Sequence, residues 1–272
     1  MMERAVLLLV PRDNGCHSHS HISRDSPCSA TDYNNGIWLV VVLHNDMLAS
    51  IAKPGDSPWT PILRRSSHDN NFTYLVDVTY STRLRSLLFI DSDMKLFICD
   101  LGDIEHPQVL RPYAKGGKNW MEKPSMRSIK FYFVESGGET LIITRYIMPR
   151  SRVDYYKDFK IEDYGEFKGY LTFNFRVHKI KSHSNNLKEI HDLGKVALFV
   201  GANATISVCS TEVGCETNCI YYCDDYRAPP TNGFRGHDMG IFKMNDRTIR
   251  PFYDGHRSNS SYCTPFWFCP SL

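Results

Sequence analysis

The sequence predicts an all-β fold of β-propeller type, with about four or five four-stranded blades in one domain over residues 1–272. Three observations carry this. Helical periodicity is almost absent, whereas short apolar runs rich in β-branched and aromatic residues recur along the chain. Five pairs of these runs are separated by only a few turn-forming residues, the pattern of antiparallel hairpins. The hairpin turns recur roughly every 45 residues, about the length of one four-stranded blade. A β-sandwich also has many short strands but rarely takes about 270 residues as one unit. A parallel βαβ fold needs long crossovers, usually helical, for which this chain leaves no room.

Taken in order, the first hairpin joins Ile37–Leu43 to Met47–Ala52 through His44-Asn45-Asp46. The second joins Leu87–Ile90 to Met94–Cys99 through Asp91-Ser92-Asp93. In the third, Phe131–Val134 and Thr140–Tyr146 flank Ser136-Gly137-Gly138, where paired glycines supply the positive φ angles of a tight turn. The fourth joins Ala197–Val200 to Thr205–Val208 through Gly201-Ala202-Asn203, and the fifth joins Ile241–Met244 to Thr248–Phe252 through Asn245-Asp246. Further strand-like runs are Phe72–Tyr80 and Thr172–Ile180. Two stretches read as long loops: Arg150–Gly169, charged but studded with aromatics, and Asp224–Gly236, which contains Pro229-Pro230 and Asn232-Gly233.

Composition narrows the functional classes. With 42% hydrophobic and 23% charged residues the chain can bury a proper core. Thirty-two basic and 30 acidic residues leave a net charge of +2, with no basic stripe that would point to nucleic acid or an anionic membrane. The apolar run Ala5–Val10 is far too short to span a bilayer. It also makes a poor signal peptide, because Glu3 spoils the basic start and no small-residue cleavage site follows. Nine cysteines, an odd number, fit free thiols in a reducing compartment better than a disulfide framework. Glycosylation-type triplets begin at Asn71, Asn203 and Asn259, but 15 Asn and 38 Ser or Thr give about two such triplets by chance. Cytoplasm or nucleus is the expected compartment.

Three groups of residues are of types that could carry chemistry. His17, His19 and His21 alternate with serine and would share one face if extended, but they sit among turn residues and read as a solvated loop. Cys209, Cys215, Cys219 and Cys223 lack the two-residue spacing of zinc knuckles, and Cys219 and Cys223 bracket a strand that holds their thiols too far apart to chelate easily. No metal and no disulfide is expected there. Asp224-Asp225 and His237-Asp238 offer carboxylates for acid–base work. Adjacent carboxylates in an extended chain point to opposite faces, so the expectation is that they cap turns. Nucleophile elbow, zinc-protease, phosphate-loop and metal-binding Asp-loop motifs are absent, so neither an enzyme nor a cofactor is expected.

The C-terminal third carries a specific resemblance. Leu193-Gly194-Lys195-Val196-Ala197-Leu198-Phe199-Val200-Gly201-Ala202-Asn203, Asn218-Cys219-Ile220-Tyr221-Tyr222-Cys223-Asp224-Asp225-Tyr226, His237-Asp238-Met239-Gly240-Ile241-Phe242 and the ending Trp267-Phe268-Cys269-Pro270-Ser271-Leu272 resemble the signature of a plant domain family. That family is the KIB-type β-propeller, also known as domain of unknown function 295, which typically follows an F-box. Upstream, Pro54-Gly55-Asp56-Ser57-Pro58-Trp59-Thr60 is similar to its Gly-Asp-x-x-Trp segment, and Phe133-Val134-Glu135-Ser136-Gly137-Gly138-Glu139 to its Val-Glu-Ser-x-Gly-Glu hairpin. Val76-Asp77-Val78 resembles the strand before a further family hairpin, degraded here to Thr82-Arg83-Leu84. The resemblance implies a propeller that holds a target protein while an F-box docks onto a ubiquitin-ligase scaffold. The chain opens at Arg4-Ala5-Val6-Leu7, which resembles a strand well inside the family domain, without the F-box or the early part of the domain. An incomplete ring with an open seam is therefore expected, and no direct binding to the ligase adaptor by this chain alone.

The expected partner is a protein, with no nucleic acid and no membrane. Its expected site is the Arg150–Gly169 stretch, through Tyr155, Tyr156, Phe159, Tyr164 and Phe167, because aromatics set among charges are common material of binding hot spots. The same rings would alternatively fill a core beneath the stretch. Two other functional readings stand beside the interaction module: a glycosidase-like enzyme on a propeller scaffold and a non-functional truncated gene product.

Overall fold

All five hairpins are present in the structure, a computed structural model that describes residues 4–11, 36–43, 49–56, 58–63, 75–101, 111–115, 128–149, 170–180, 187–201, 205–225, 238–251 and 267. The chain divides into two compact units, Met1–Gly116 and Gly117–Leu272. Among the described residues each unit contains two sheets. No helix among them is long and apolar enough to cross a membrane.

The first unit is built from two antiparallel meanders. One runs β1 (Arg4–Pro11), β2 (Gly36–Leu43), β3 (Ala49–Ala52), β4 (Thr60–Leu63), and the other β5 (Leu75–Ser81), β6 (Ser86–Asp91), β7 (Lys95–Asp100), β8 (Arg111–Lys115). Every residue of β6 is buried, which fits its unbroken Leu-Leu-Phe-Ile run, whereas β7 alternates between half-buried and buried positions over Lys95–Ile98 and ends at the exposed Asp100. Leu39, Val41, Leu87, Phe89 and Cys99 meet in the core of this unit. The β6–β7 turn is organised by Asp91, whose Oδ1 accepts the amides of Asp93 at 2.9 Å and Lys95 at 2.7 Å. A buried carboxylate thus takes up turn amides that the ladder leaves over.

The second unit contains the meander β9 (Ser128–Ser136), β10 (Glu139–Pro149), β11 (Tyr170–Ile180), β12 (Leu187–Ile190) and a five-stranded sheet. The latter comprises β13 (Val196–Val200), β14 (Thr205–Cys209), β15 (Cys219–Tyr222), β16 (Gly240–Lys243) and β17 (Ile249–Pro251), in the spatial order β14-β13-β15-β16-β17. It departs from the expected four-stranded blade in one respect. β13 pairs with β14 on one side and lies parallel to β15 on the other. A parallel pair cannot be joined by a tight hairpin, so β14 and the single helical turn α1 (Ser210–Val213) carry the chain back to the starting end. Gly214, at φ 71°, closes that turn.

Glu139 pairs directly with Ser136, so β9 and β10 are joined by a two-residue turn in which Gly137 and Gly138 have φ 57° and 72°. Both angles lie in the left-handed region, as a type I′ turn requires. A Cβ at either position meets nothing within 4 Å, so the cost of a side chain there is backbone strain alone. Gly138→Val is expected to lower stability by about 1–2 kcal/mol, and Gly137→Asn to be close to neutral because Asn tolerates this region. Urea denaturation of the two variants checks the contrast.

His178 on β11 is 3% exposed and lies 3.9 Å from Glu189. Burial, with Arg176 and His191 nearby, pulls its pKa down to about 4. The folded chain therefore keeps this ring neutral while the unfolded chain protonates it as pH falls through about 6.5, so its contribution to stability is lost from there down to about pH 4. The stability advantage of the natural chain over His178→Gln is expected to shrink as pH falls from about 7 to 4, by at most about 3 kcal/mol. Chemical denaturation of both proteins across that range measures it.

Candidate functional site

β10 reads Glu-Thr-Leu-Ile-Ile-Thr-Arg-Tyr-Ile-Met-Pro, and nine consecutive residues of it are buried, Arg145 among them. Leu141 and Ile143 face the core shared with β15 and β16, and Arg145 continues the same face. It is fully buried. A guanidinium in that position needs oxygen acceptors around it, because an unpaired buried charge costs several kcal/mol.

The acceptors come from three directions. Nη1 donates to the Asp225 carboxylate at 2.9 Å, to the Cys223 carbonyl at 2.8 Å and to the Tyr132 hydroxyl at 3.4 Å. Nη2 donates to the Asp238 carboxylate at 2.9 Å and to the Asp238 carbonyl at 3.2 Å. Nε donates to Thr172 Oγ1 at 2.6 Å. The Thr172 hydroxyl in turn donates to Asp238 at 2.8 Å, and the Thr172 amide donates to the other Asp238 oxygen at 3.0 Å. The guanidinium also lies 4.8 Å over the Tyr222 ring.

Local irregularity places these groups. A β-bulge between Tyr146 and Ile147 shifts the register of β10 against β11, which brings Thr172 rather than its neighbour to the arginine. β9 contributes Tyr132, whose hydroxyl reaches both Asp225 oxygens at 3.1 Å, and Lys130, which lies 3.0 Å from the same carboxylate. Lys130 also donates to the Asp225 carbonyl. Asp224 is held separately by the Tyr170 hydroxyl at 2.8 and 2.9 Å.

Burial disfavours the arginine charge, but Tyr132, Asp238 and Asp225 raise its pKa well above the ordinary value. Burial likewise pushes the Tyr132 hydroxyl far up and keeps it a donor. It also pushes the Asp238 carboxyl up, against the pull of Arg145. Every described polar contact of Asp238 is a donor, which suits the ionised form. Lys130, pulled down by burial and back up by Asp225, is the most accessible charge in the group, its side chain 27% exposed.

The described side-chain contacts of Asp224, Asp225 and Asp238, expected at turns, reach instead to β9, β10 and β11. The three carboxylates converge with Arg145, Tyr132, Tyr170 and Thr172 in a buried ion network that ties β10 and β11 to the ends of β15 and β16. Spacing within the Asp-Asp pair carried no sign of this, because the partners lie 54 to 93 residues away. The signal that does exist is Arg145 itself, a lone charge inside an apolar strand.

Cys219 lies in a small core against which Cys215 packs. Cys209 ends β14 with its sulfur 3.2 Å from the Thr211 hydroxyl, and Cys219 begins β15 with its thiol 3.1 Å from the Thr217 carbonyl. Burial pushes the Cys219 thiol up to about 11, with Glu216 adding to it. Cys223 sits over Gly201, where a Cβ would approach its sulfur to 2.5 Å. Among the described residues no disulfide joins these thiols, and no group of three or more His, Cys, Asp or Glu side chains is placed to hold a metal ion. Trp267, from the C-terminal segment, packs edge-on to Phe199 and donates to the Val200 carbonyl at 2.8 Å. His17, His19, His21 and His237 lie outside the described residues, as do Tyr155, Tyr156, Phe159, Tyr164 and Phe167.

The profile of the KIB1-4 β-propeller family matches residues 6–243. A protein of Arabidopsis thaliana named "Putative F-box protein" is 22% identical over 223 residues, covering 79% of this chain and 52% of that protein. The chain thus spans about half the length of the curated relative it matches. No solved structure matches it.

Replacing Arg145 by Met leaves two buried carboxylates, Asp225 and Asp238, without the guanidinium that bridges them and is expected to cost about 3–5 kcal/mol. Lys130→Met, at a partly exposed pair, is expected to cost no more than about 1 kcal/mol. Thermal and urea unfolding of the two variants distinguishes them.

Proposed function

The chain belongs to the KIB1-4 β-propeller family, and from that premise we propose that it is a protein-interaction module that recruits a target protein, as the target-binding part of an F-box-type ubiquitin ligase does. The observation that carries this is the family match over residues 6–243, joined to a relative whose name is that of an F-box protein. The buried acids favour recruitment over catalysis. Asp224, Asp225 and Asp238 are 0%, 7% and 0% exposed, and their oxygens are engaged by Tyr170, Tyr132, Lys130, Arg145 and Thr172. Groups so buried and so occupied suit a structural role better than acid–base work.

In this reading the target is held by the residue 150–169 connection, through Tyr155, Tyr156, Phe159, Tyr164 and Phe167. The connection joins β10 to β11, and its two ends, Pro149 and Tyr170, are paired neighbours in the sheet. A stretch anchored at both ends of a rigid strand pair can present side chains without disturbing the core. Aromatic residues central to an interface each contribute about 2 kcal/mol or more.

The test is affinity capture of the whole chain from plant extract with identification of retained proteins, run beside the triple variant Tyr155→Ala/Tyr156→Ala/Tyr164→Ala. At least one protein retained by the natural chain is expected to fall about tenfold or more with the variant, whose circular dichroism stays unchanged. Equal retention by both would place the site elsewhere.

A further inference from the structure

The five-stranded sheet has two apolar faces. Leu198, Val200, Ile220, Tyr222 and Phe242 turn to the core shared with β10 and β11, while the alternate residues Ala197, Cys219, Tyr221 and Ile241 build a second, smaller core on the opposite face. Trp267 packs against that second core. Three contacts hold it there. Its ring stands edge-on to Phe199, with centroids 4.9 Å apart, and Phe199 in turn lies flat on Tyr221 at 4.6 Å. Its indole N–H donates to the Val200 carbonyl at 2.8 Å, across 67 residues of sequence. Its Cδ1 edge passes over Gly201, where a Cβ would come within 3.1 Å of it. Gly201 is not among the glycines at positive φ, so what its missing side chain supplies is space. The Val200 carbonyl also accepts the Cys223 amide at 3.1 Å, so Trp267 takes up its second lone pair.

We infer that Phe199, Val200 and Gly201 form an indole-binding site whose resident ligand is Trp267 of the same chain. The site asks three things of one ring system: an edge for the face of Phe199, a flat shape that passes over a bare glycine, and a ring N–H aimed at the Val200 carbonyl. Among side chains tryptophan alone meets all three. Phenylalanine has no donor, tyrosine carries its donor outside the ring, and histidine is too polar for a face built on Phe199, Tyr221 and Ile241. The site belongs to the sheet, not to the ligand. Phe199 and Val200 are fixed by pairing with β14 on one side and β15 on the other, so the site persists when the indole is not tethered to the chain. Trp267 also guards it, because a tryptophan from another polypeptide enters only where Trp267 has left.

Chemical rescue of Trp267→Gly in the full chain tests this, with free indole as the probe. Indole at about 5 mM is expected to raise the thermal unfolding midpoint of the variant by about 2–4 °C, without raising that of the natural chain, whose site is filled. 1-Methylindole, which has no N–H for Val200, is expected to give less than about half that shift. Adding Gly201→Ala is expected to abolish the indole shift by filling the space over which the ring passes. That comparison is made in a Cys223→Ala background, because a Cβ at 201 would otherwise also meet the Cys223 sulfur at 2.5 Å. No upward shift with indole, or equal shifts with indole and 1-methylindole, overturns the inference, since the contact would then be apolar packing alone. If Trp267→Gly does not fold, the natural chain decides. The Trp267 indole N–H, assigned by its loss in Trp267→Phe, is expected to exchange with deuterium at least about tenfold more slowly than that of Trp59, which is 48% exposed. Equal exchange at the two positions overturns the inference.

Discussion

A guanidinium buried inside an apolar strand is the constraint on which the second unit depends. Arg145 cannot be left unpaired inside a β-sheet core, and no acid on its own sheet pairs with it among the described residues. Its carboxylates arrive from the far ends of β15 and β16, so the ladder of one sheet is satisfied only when the other sheet is correctly placed. This makes the network a device for specificity of arrangement more than for raw stability. A well-packed apolar group of similar volume would fill the space at comparable cost, but it would not dictate which strand ends must meet there.

The rest of the unit is consistent with that demand. Leu141, Ile143, Phe175, Val177, Ile220, Tyr222 and Phe242 form one core between the two sheets, and Arg145 closes its end. Tyr222 takes part in both regions: its ring packs 5.2 Å from Phe175 and carries the guanidinium on its face. Apolar packing and the ion network therefore share a side chain, and disturbance of one is felt by the other. Gly240, where β16 begins, leaves room for the Tyr222 hydroxyl, which would lie 2.6 Å from any Cβ there. The bulge in β10–β11 and the bare backbone of Gly240 are local irregularities that serve the same contact.

Much of this fold was legible in the residues. The hairpins around Asp91-Ser92-Asp93 and Gly137-Gly138 combine strong strand patterns with turn chemistry that admits few alternatives. The β13–β14–α1–β15 crossover was not legible, because two short apolar runs joined by a turn look alike whether the next strand adds beside the first or the second. The candidate site was half visible. Asp224, Asp225 and Asp238 stood out as carboxylates, yet their roles as counter-ions depend on pairing across as many as 95 residues, which no local spacing encodes. No motif marks Arg145, although a lone arginine inside Leu-Ile-Ile-Thr-Arg-Tyr-Ile-Met is itself a demand for distant acids. The residues that carry the family resemblance, Asn218–Tyr226 and His237–Phe242, supply the acids of that network and the strands β15 and β16 beside it.

The central claim is that Arg145 and Asp238 act as one unit joining two sheets, and a double-mutant cycle of Arg145→Met and Asp238→Asn on the whole chain measures it most directly. Each single change leaves a buried group facing the wrong partner, whereas the double change removes the charge from both sides. The double variant is expected to be less destabilised than the sum of the singles by about 2 kcal/mol or more in urea unfolding. Costs that add to within about 0.5 kcal/mol would contradict it, since the two residues would then be independent.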